Sequence, residues 1–135
     1  MEEERENWQA PISSYRDLRV WQDAMALAGA CYAVTAAFPR EEMFGMTAQV
    51  RRAAVSIAAN IAEGHGREST PSFVHFLRVA QGSLKELETH VLLSQRARLL
   101  TDHTAESLLG RCEILGKRLR SLIRALQGRQ GGGLS

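Results

Sequence analysis

The sequence has few of the residues that stabilise small secreted domains or fill large aromatic cores. It contains two cysteines and three prolines in 135 residues, and aromatic residues make up 6% of the chain. Two cysteines do not form a disulfide framework, and a chain of this length buries enough surface to fold without disulfides or metals. No apolar run approaches the roughly 20 residues of a transmembrane helix. These deficits favour one soluble domain and exclude a membrane partner.

The first residues are acidic. Residues 2–6 read EEERE, which lacks the basic character of a secretory or mitochondrial leader. Because the cysteines are also few, we expect a cytoplasmic protein. Outside residues 2–6, which hold four acids and one base, the chain has 16 basic against 11 acidic residues. Residues 111–129 alone contain six basic residues and one acidic residue, so the C-terminal part is a basic block.

Apolar and small residues recur at alternating steps of three and four in four windows, which is typical of helices packed in a bundle. The predicted buried positions are Leu18, Trp21, Met25, Ala28, Tyr32 and Thr35; Met46, Val50, Ala53, Ile57 and Asn60; Phe73, Leu77, Ala80, Leu84, Leu87 and Val91; and Leu108, Cys112, Leu115, Leu119, Leu122 and Leu126. Gly64 is expected to end the second helix as a left-handed cap. Thr70 is expected to cap the third helix, ahead of Pro71, and Thr101 or Asp102 the fourth.

The connections between these windows are short, so neighbouring helices are expected to run antiparallel. The predicted fold is all-α, an up-down-up-down four-helix bundle over residues 15–127. A flexible acidic N-terminal arm, residues 1–14, and a flexible glycine-rich tail, residues 128–135, flank it.

The first and second predicted helices lack a polar face. Opposite their buried positions lie small apolar residues: Ala26, Ala30, Ala33 and Ala37 in the first helix, and Ala48, Val55, Ala59 and Ala62 in the second. Alanine on an exposed surface is one explanation, because it favours helix formation. The other explanation is that a second subunit covers both rows of small residues, since a helix without a polar side is normally buried all round. We favour self-association.

Separated motifs carry a family resemblance. GMTAQVRRAAVSIAANIAEGHGR (residues 45–67) follows DLRVW (17–21) and FPREE, and precedes FVHFLRVAQGSLKELETH (73–90). In this order and spacing, over about residues 15–126, the chain closely resembles the bacterial four-helix-bundle family of 23S rRNA intervening-sequence proteins. That family in turn resembles the accessory variability determinant of diversity-generating retroelements, a small basic protein that works with a reverse transcriptase.

The resemblance implies a homopentamer of four-helix bundles arranged as a barrel with a central channel. For the retroelement branch it also implies binding to RNA or DNA and to a reverse transcriptase, without chemistry of its own. The chain departs from the family near the third connection. A leucine-glycine pair is common there, whereas residues 95–100 read QRARLL, and Arg98 lies in this stretch.

Three polar residues of the second helix and its end are expected to be structural. Ser56 and Asn60 lie one turn apart in an apolar helix, so they are predicted to hydrogen-bond inside the bundle or across an interface and to fix register. Residues 63–67 are expected to form the second connection, where Glu63 makes a cap or an ion pair. Their GxG lacks the lysine, spacing and preceding strand of a phosphate-binding loop.

No catalytic or metal site is visible in the sequence. The four histidines are scattered, and neither HExxH nor ExxH occurs. Glu86 and His90 lie one turn apart without a second such pair. Cys31 and Cys112 are expected to fill the core, where thiols rarely react. We therefore expect no enzymatic activity, metal or cofactor.

The basic residues are the candidate nucleic-acid contacts. They are Arg51, Arg52, Arg67, Arg78, Lys85, Arg111, Lys117, Arg118, Arg120 and Arg124. Phosphates attract such residues through counterion release, independently of base sequence. These basic residues could instead form an ordinary solvent-exposed surface, with ion pairs to Glu86, Glu88 and Glu113. Our leading hypothesis is a non-enzymatic, oligomeric nucleic-acid-binding accessory of a reverse transcriptase. The alternative is a protein-interaction scaffold without nucleic-acid affinity, whose arm or tail recruits a partner.

Overall fold

Four helices arranged in a ring make up the computed structural model, which describes residues 14–134. They are α1 (Arg19–Thr35), α2 (Met46–Gly66), α3 (Thr70–Arg96) and α4 (Asp102–Leu134), with short 3-10 helices at Tyr15–Asp17 and Arg40–Glu42. Each helix packs against the one before and the one after it, and α1 also packs against α4. The described residues contain no strand. The all-α prediction is therefore confirmed, and the packing is that of a four-helix bundle.

The core lies along the axis of this ring and is almost entirely aliphatic. The largest side chains with under 2% exposure are Leu27, Ile57, Ile61, Leu77, Leu84, Leu87, Leu115, Leu119, Val50, Val91, Cys31 and Cys112. The predicted buried positions of α3 are confirmed from Leu77 to Val91. In α4 the prediction is wrong at one position, because Ile123 is buried and Leu122 only half-buried.

The prediction for α1 is confirmed at Leu18, Ala28 and Thr35, which are buried, and is wrong at Met25 and Tyr32. Met25 and Tyr32 were expected inside but are 47% and 46% exposed, whereas Ala24 and Cys31 are fully buried. Small residues let α1 approach its neighbours closely, which a face with Met25 and Tyr32 would prevent. The Tyr32 ring instead lies under the guanidinium of Arg51 from α2, 4.5 Å from its Cζ.

Gly64 has a different role from the one expected. The helix α2 continues to Gly66, and the left-handed residue of the second connection is Glu68, with φ of 60°. A Cβ on Gly64 would lie 2.7 Å from the Cβ of Phe76 and 3.1 Å from Cδ1 of Phe73. Glycine is therefore required here by the close approach of α2 and α3, and residues 63–66 belong to the helix and not to the connection.

A pair of alanine substitutions tests this reading of Gly64. Gly64→Ala should lower the free energy of unfolding by about 1–3 kcal/mol, because the new methyl group overpacks against α3. Gly66→Ala is the matched control, since a Cβ there meets nothing within 4 Å. It should change stability by less than about 1 kcal/mol. Urea denaturation measures both, and an equal effect of the two substitutions would contradict the packing argument.

The third connection closes α3 without the glycine that usually occupies such a position. The amide of Leu99 donates to the Ser94 carbonyl at 2.8 Å, and the amide of Arg98 donates to the Gln95 carbonyl at 3.1 Å. This is the Schellman pattern, whose penultimate residue is left-handed and is most often glycine. Here it is Arg98, with φ of 63°. The family departure in the sequence therefore leaves a side chain in a strained backbone conformation.

Arg98→Gly should stabilise the protein. Glycine adopts positive φ without steric cost, so the gain should be about 1 kcal/mol. For a chain of this size that is a rise of about 4 °C in Tm. Arg96→Gly, in the last turn of the helix, removes the same charge and should lower Tm, which calorimetry would detect. If both substitutions lower Tm, the left-handed residue is not a source of strain.

The helix ends agree in part with the sequence predictions. Ser69, one residue before the predicted Thr70, caps α3, and its Oγ accepts from the Ser72 amide at 3.4 Å. Thr101 caps α4, as one of the two expected candidates, by accepting from the Thr104 amide at 3.1 Å. The backbone of α4 is helical through residues 128–134, where we expected a flexible tail. The predicted acidic arm lies outside the described residues, except for Ser14.

Across residues 14–134, no helix is both long and apolar enough to span a membrane.

Candidate nucleic-acid interface between the third and fourth helices

The ten predicted phosphate contacts do not form one continuous surface. Arg51, Arg52 and Arg67 are on α2 or directly after it; Arg111 and Arg118 line a groove beside α1; Lys117 lies on the outside of α4; and Arg78, Lys85, Arg120 and Arg124 line the groove between α3 and α4. The structure thus brings four of the ten together in one concave site. Two others meet at a second groove on the opposite side of α4.

Five of the ten are engaged within the chain. Arg67 pairs with Glu63 at 2.8 Å, Lys85 with Glu88 at 3.1 Å, Lys117 with Glu113 at 3.4 Å, and Arg118 with Asp23, while Arg51 Nε donates to Thr35 Oγ1 at 2.9 Å. The three exposed pairs contribute at most about 1 kcal/mol each, so phosphate can displace them. Arg51 is half-buried and held from two sides, which disfavours a phosphate contact.

The end of the α3–α4 groove nearest the start of α3 is lined without a single acidic residue. A cavity of about 480 Å³ is bounded there by Arg78, Gln81, Arg120, Ile123, Arg124 and Gln127. None of the four ion pairs within residues 14–129 uses the three arginines. Arginine forks match phosphate oxygens, and the glutamine amides add uncharged donors. We call this part the arginine groove.

The arginine groove continues into a wider cavity of about 630 Å³ further along the two helices, and Gln81 and Arg120 line both. Gly82 and Gly116 lie along its two walls and add no side chains to fill it. Glu88 and Glu113 lie on this wider part, each paired with a lysine. Positive charge is therefore concentrated at the arginine groove.

Helix geometry brings these residues together. Arg120 and Arg124 are one turn apart on α4, and Arg78, Gln81 and Lys85 are spaced by three and four on α3, so each set shares one side of its helix. Like charges lining a concave surface without acids raise the local potential and attract anions. The chemistry available is electrostatic binding and hydrogen bonding to phosphate oxygens.

The cysteines do not add a nucleophile to this site. Burial raises the pKa of Cys31 to about 11, although Arg111 opposes the shift. Burial also raises the pKa of Cys112 to about 12, and Glu88 and Cys31 add to the effect. Both side chains are protonated thiols at neutral pH, and thiols are poor nucleophiles. Within residues 14–129, no three His, Cys, Asp or Glu side chains are grouped closely enough to hold a metal ion.

Ser56, Asn60 and Glu63 take part in contacts of the expected kinds. Ser56 Oγ and Ser83 Oγ on α3 share a hydrogen bond of 2.8 Å, and Asn60 Nδ2 donates to the Ser56 carbonyl at 2.8 Å. Glu63 forms its ion pair with Arg67. The Ser56–Ser83 hydrogen bond links α2 to α3, whereas the contacts of Asn60 and Glu63 lie within α2 and its C-terminal end.

The predicted interface residues lie on two separate faces. On α2, Val55 and Ala59 are exposed and Ala48 and Ala62 half-buried, on the flank next to the exposed Tyr32 of α1. On α1, Ala26 lines the groove that faces α4, and Ala30 and Ala33 follow it at helical spacing. Ala37 lies in the turn after α1 ends at Thr35. The apolar surface shared by α1 and α2 therefore consists of the α2 row together with Met25 and Tyr32. We call this the α1–α2 face.

Sequence reasoning missed several surface residues. Gln81 and Gln127 of the arginine groove were overlooked, although each lies three residues from a predicted arginine, which was a readable signal. Phe44 and Met43 were also overlooked. They are 93% and 52% exposed in the connection between α1 and α2, and no periodic pattern marks them.

Comparisons with known proteins identify a family and several similar solved structures. The family described as 23S rRNA-intervening sequence protein matches residues 16–121. A crystal structure at 1.70 Å of a protein with unknown function from the S23 ribosomal protein family of Bacteroides thetaiotaomicron VPI-5482 is similar, with a TM-score of 0.69 and 26% identity. The similarity covers 77% of this chain and 97% of that one. No curated protein matches the chain significantly.

Proposed function

Since the chain belongs to the 23S rRNA-intervening sequence protein family, we propose that it is a non-enzymatic protein that binds the phosphate backbone of RNA or DNA in the arginine groove. The observation that carries the proposal is the set of three arginines, Arg78, Arg120 and Arg124, around one cavity without an acid. Phosphate contacts position a nucleic acid without reading its bases, so the proposed binding is independent of base sequence. The proposed location is cytoplasmic.

The double substitution Arg120→Gln and Arg124→Gln should weaken binding to a random-sequence RNA duplex. Two lost phosphate contacts should lower affinity at least about tenfold at low salt and reduce the slope of log K against log salt by about two. Fluorescence anisotropy titrations at several salt concentrations measure both quantities.

The matched control is Arg40→Gln with Arg96→Gln, which removes the same charge at the opposite end of the bundle, where both side chains are exposed. It should leave the slope unchanged. Equal losses in the two double variants would show that only net charge matters. No binding by the unmodified protein at low salt would remove the proposal altogether.

The proposal includes self-association through the α1–α2 face. Met25, Tyr32 and Val55 are each about half exposed, and a contiguous apolar patch on a soluble chain is typical of a protein interface. A homopentameric barrel is the assembly implied by the family resemblance. In any such ring the arginine groove is repeated in every subunit, so a polyanion that spans several copies binds with high avidity.

Ala59→Arg should break this assembly, because it places a charge in the centre of the α1–α2 face. Light scattering should then report a single chain where the unmodified protein reports a larger mass. Ser107→Arg introduces the same charge on the exposed side of α4 and should leave the mass unaltered. An unaltered mass in the Ala59 variant would show that another face mediates association.

We also propose a reverse transcriptase as a partner, on the basis of the family resemblance alone.

A second candidate function, a protein-interaction scaffold, is favoured by Phe44 and Met43. A fully exposed aromatic side chain beside an exposed methionine, in a connection, is typical of a protein contact. A scaffold without nucleic-acid affinity predicts that the unmodified chain fails to bind RNA even at low salt. The same anisotropy titration therefore separates the two functions.

A further inference from the structure

A group of aromatic and histidine rings lies at the turn from α2 to α3, the end of the bundle where the arginine groove is found. The rings of His65 and Phe73 are in edge-to-face contact, with centroids 5.8 Å apart, and those of His75 and Phe76 are in the same kind of contact at 5.2 Å. The two pairs are adjacent, because a Cβ on Gly64 would contact both Phe73 and Phe76. We call these four rings the ring cluster.

Arg67 lies on the ring cluster with its guanidinium held in place. Its Cζ lies over the Phe76 ring, 5.0 Å from the centroid, and its Nη2 donates to Glu63 Oε1 at 2.8 Å. The Arg67 side chain is nevertheless 54% exposed. Glu63 also balances its charge, which suits an uncharged partner. A planar, oriented and exposed guanidinium is a surface on which a nucleobase stacks.

His75 connects the ring cluster to the arginine groove. The His75 side chain is exposed. It precedes Arg78 by three residues on α3, so the two side chains are neighbours on the surface of the helix. Arg78 lines the arginine groove together with Arg120 and Arg124. A strand whose phosphates contact Arg78 therefore has its next nucleotides beside the His75 ring.

A basic groove that continues into exposed rings is typical of proteins that bind single strands. The groove contacts the backbone, and unpaired bases stack on aromatic rings or on arginine planes. The bases of a duplex are stacked on one another and are not available for such contacts. We infer that His75 and Arg67 stack unpaired bases of the strand whose backbone lies in the arginine groove. The inference rests on the proposed function and names its ligand class, a nucleic acid with a single-stranded segment next to the bound backbone.

Stacking adds affinity in a way that differs from the phosphate contacts. Every base has a flat face, so the contact tolerates any base sequence. It neutralises no phosphate and releases no counterions, so the added affinity does not fall as salt rises. These two properties separate the contribution of the ring cluster from that of the arginine groove.

Fluorescence anisotropy with three forms of one RNA duplex tests the inference. One form is blunt, one has an unpaired adenosine overhang, and one has an abasic overhang of the same length. The abasic overhang has the same phosphates without bases. The unmodified chain should bind the adenosine form at least about tenfold more tightly than the abasic form, because stacked bases contribute that much. The ratio should persist as salt rises.

His75→Ala combined with Arg67→Lys removes both stacking groups, and lysine keeps the positive charge without a planar guanidinium. Phe73 and Phe76 are left unchanged, because they pack against α2 at Gly64. The double variant should bind the adenosine and abasic forms equally. It should bind the blunt duplex as tightly as the unmodified chain does, since the arginine groove is intact.

The matched control is His103→Ala with Arg96→Lys, the same two exchanges at exposed positions at the opposite end of the bundle. It should keep the preference for the adenosine form. Equal binding of the two overhangs by the unmodified chain would overturn the inference and leave the proposed function intact. A preference that survives in the double variant would also overturn it, because the bases would then stack elsewhere. No binding of any form would remove the proposed function, and the inference with it.

Discussion

The close contact between α2 and α3 is the constraint on which the rest of the structure depends. At Gly64 the two helices approach so closely that a Cβ would lie 2.7 Å from that of Phe76. Two turns earlier along α2, the hydroxyls of Ser56 and Ser83 share a hydrogen bond of 2.8 Å. These two contacts fix both the register of α3 against α2 and its rotation about its own axis. Successive residues of a helix are 100° apart, so these two contacts also determine which way each of the remaining side chains of α3 faces.

That rotation decides where charge accumulates. With Phe76 and Ser83 directed at α2, Arg78, Gln81 and Lys85 lie on the side of α3 that faces α4. There they meet Arg120, and Arg124 lies one turn further along α4. The remaining basic residues of α4 divide in the same way, since Arg111 and Arg118 lie beside α1. The basic residues of α4 thus line two grooves, and the proposed nucleic-acid backbone occupies the one between α3 and α4.

The sequence is most informative where a helix has one clearly polar face. The buried positions of α3 from Leu77 to Val91 follow directly from the spacing of apolar residues, and the all-α class follows from all four windows. In α1, alanine and other small residues occur on every side, so spacing alone does not define the rotation, and Met25 and Tyr32 were placed inside. The role of Gly64 depends on Phe76, twelve residues away on another helix, and no local pattern contains that contact. The same limit applies to the site. Each basic residue can be identified in the sequence, but which groove it lines depends on how the neighbouring helices pack.

Titration of the chain with a short RNA duplex, followed by NMR of the arginine Nε–Hε groups, tests the central claim most directly. The account predicts that the resonances of Arg78, Arg120 and Arg124 shift first and together. Those of Arg111 and Arg52 should stay in place. Shifts of similar size at all arginines, or shifts confined to the side of α4 that faces α1, would contradict it.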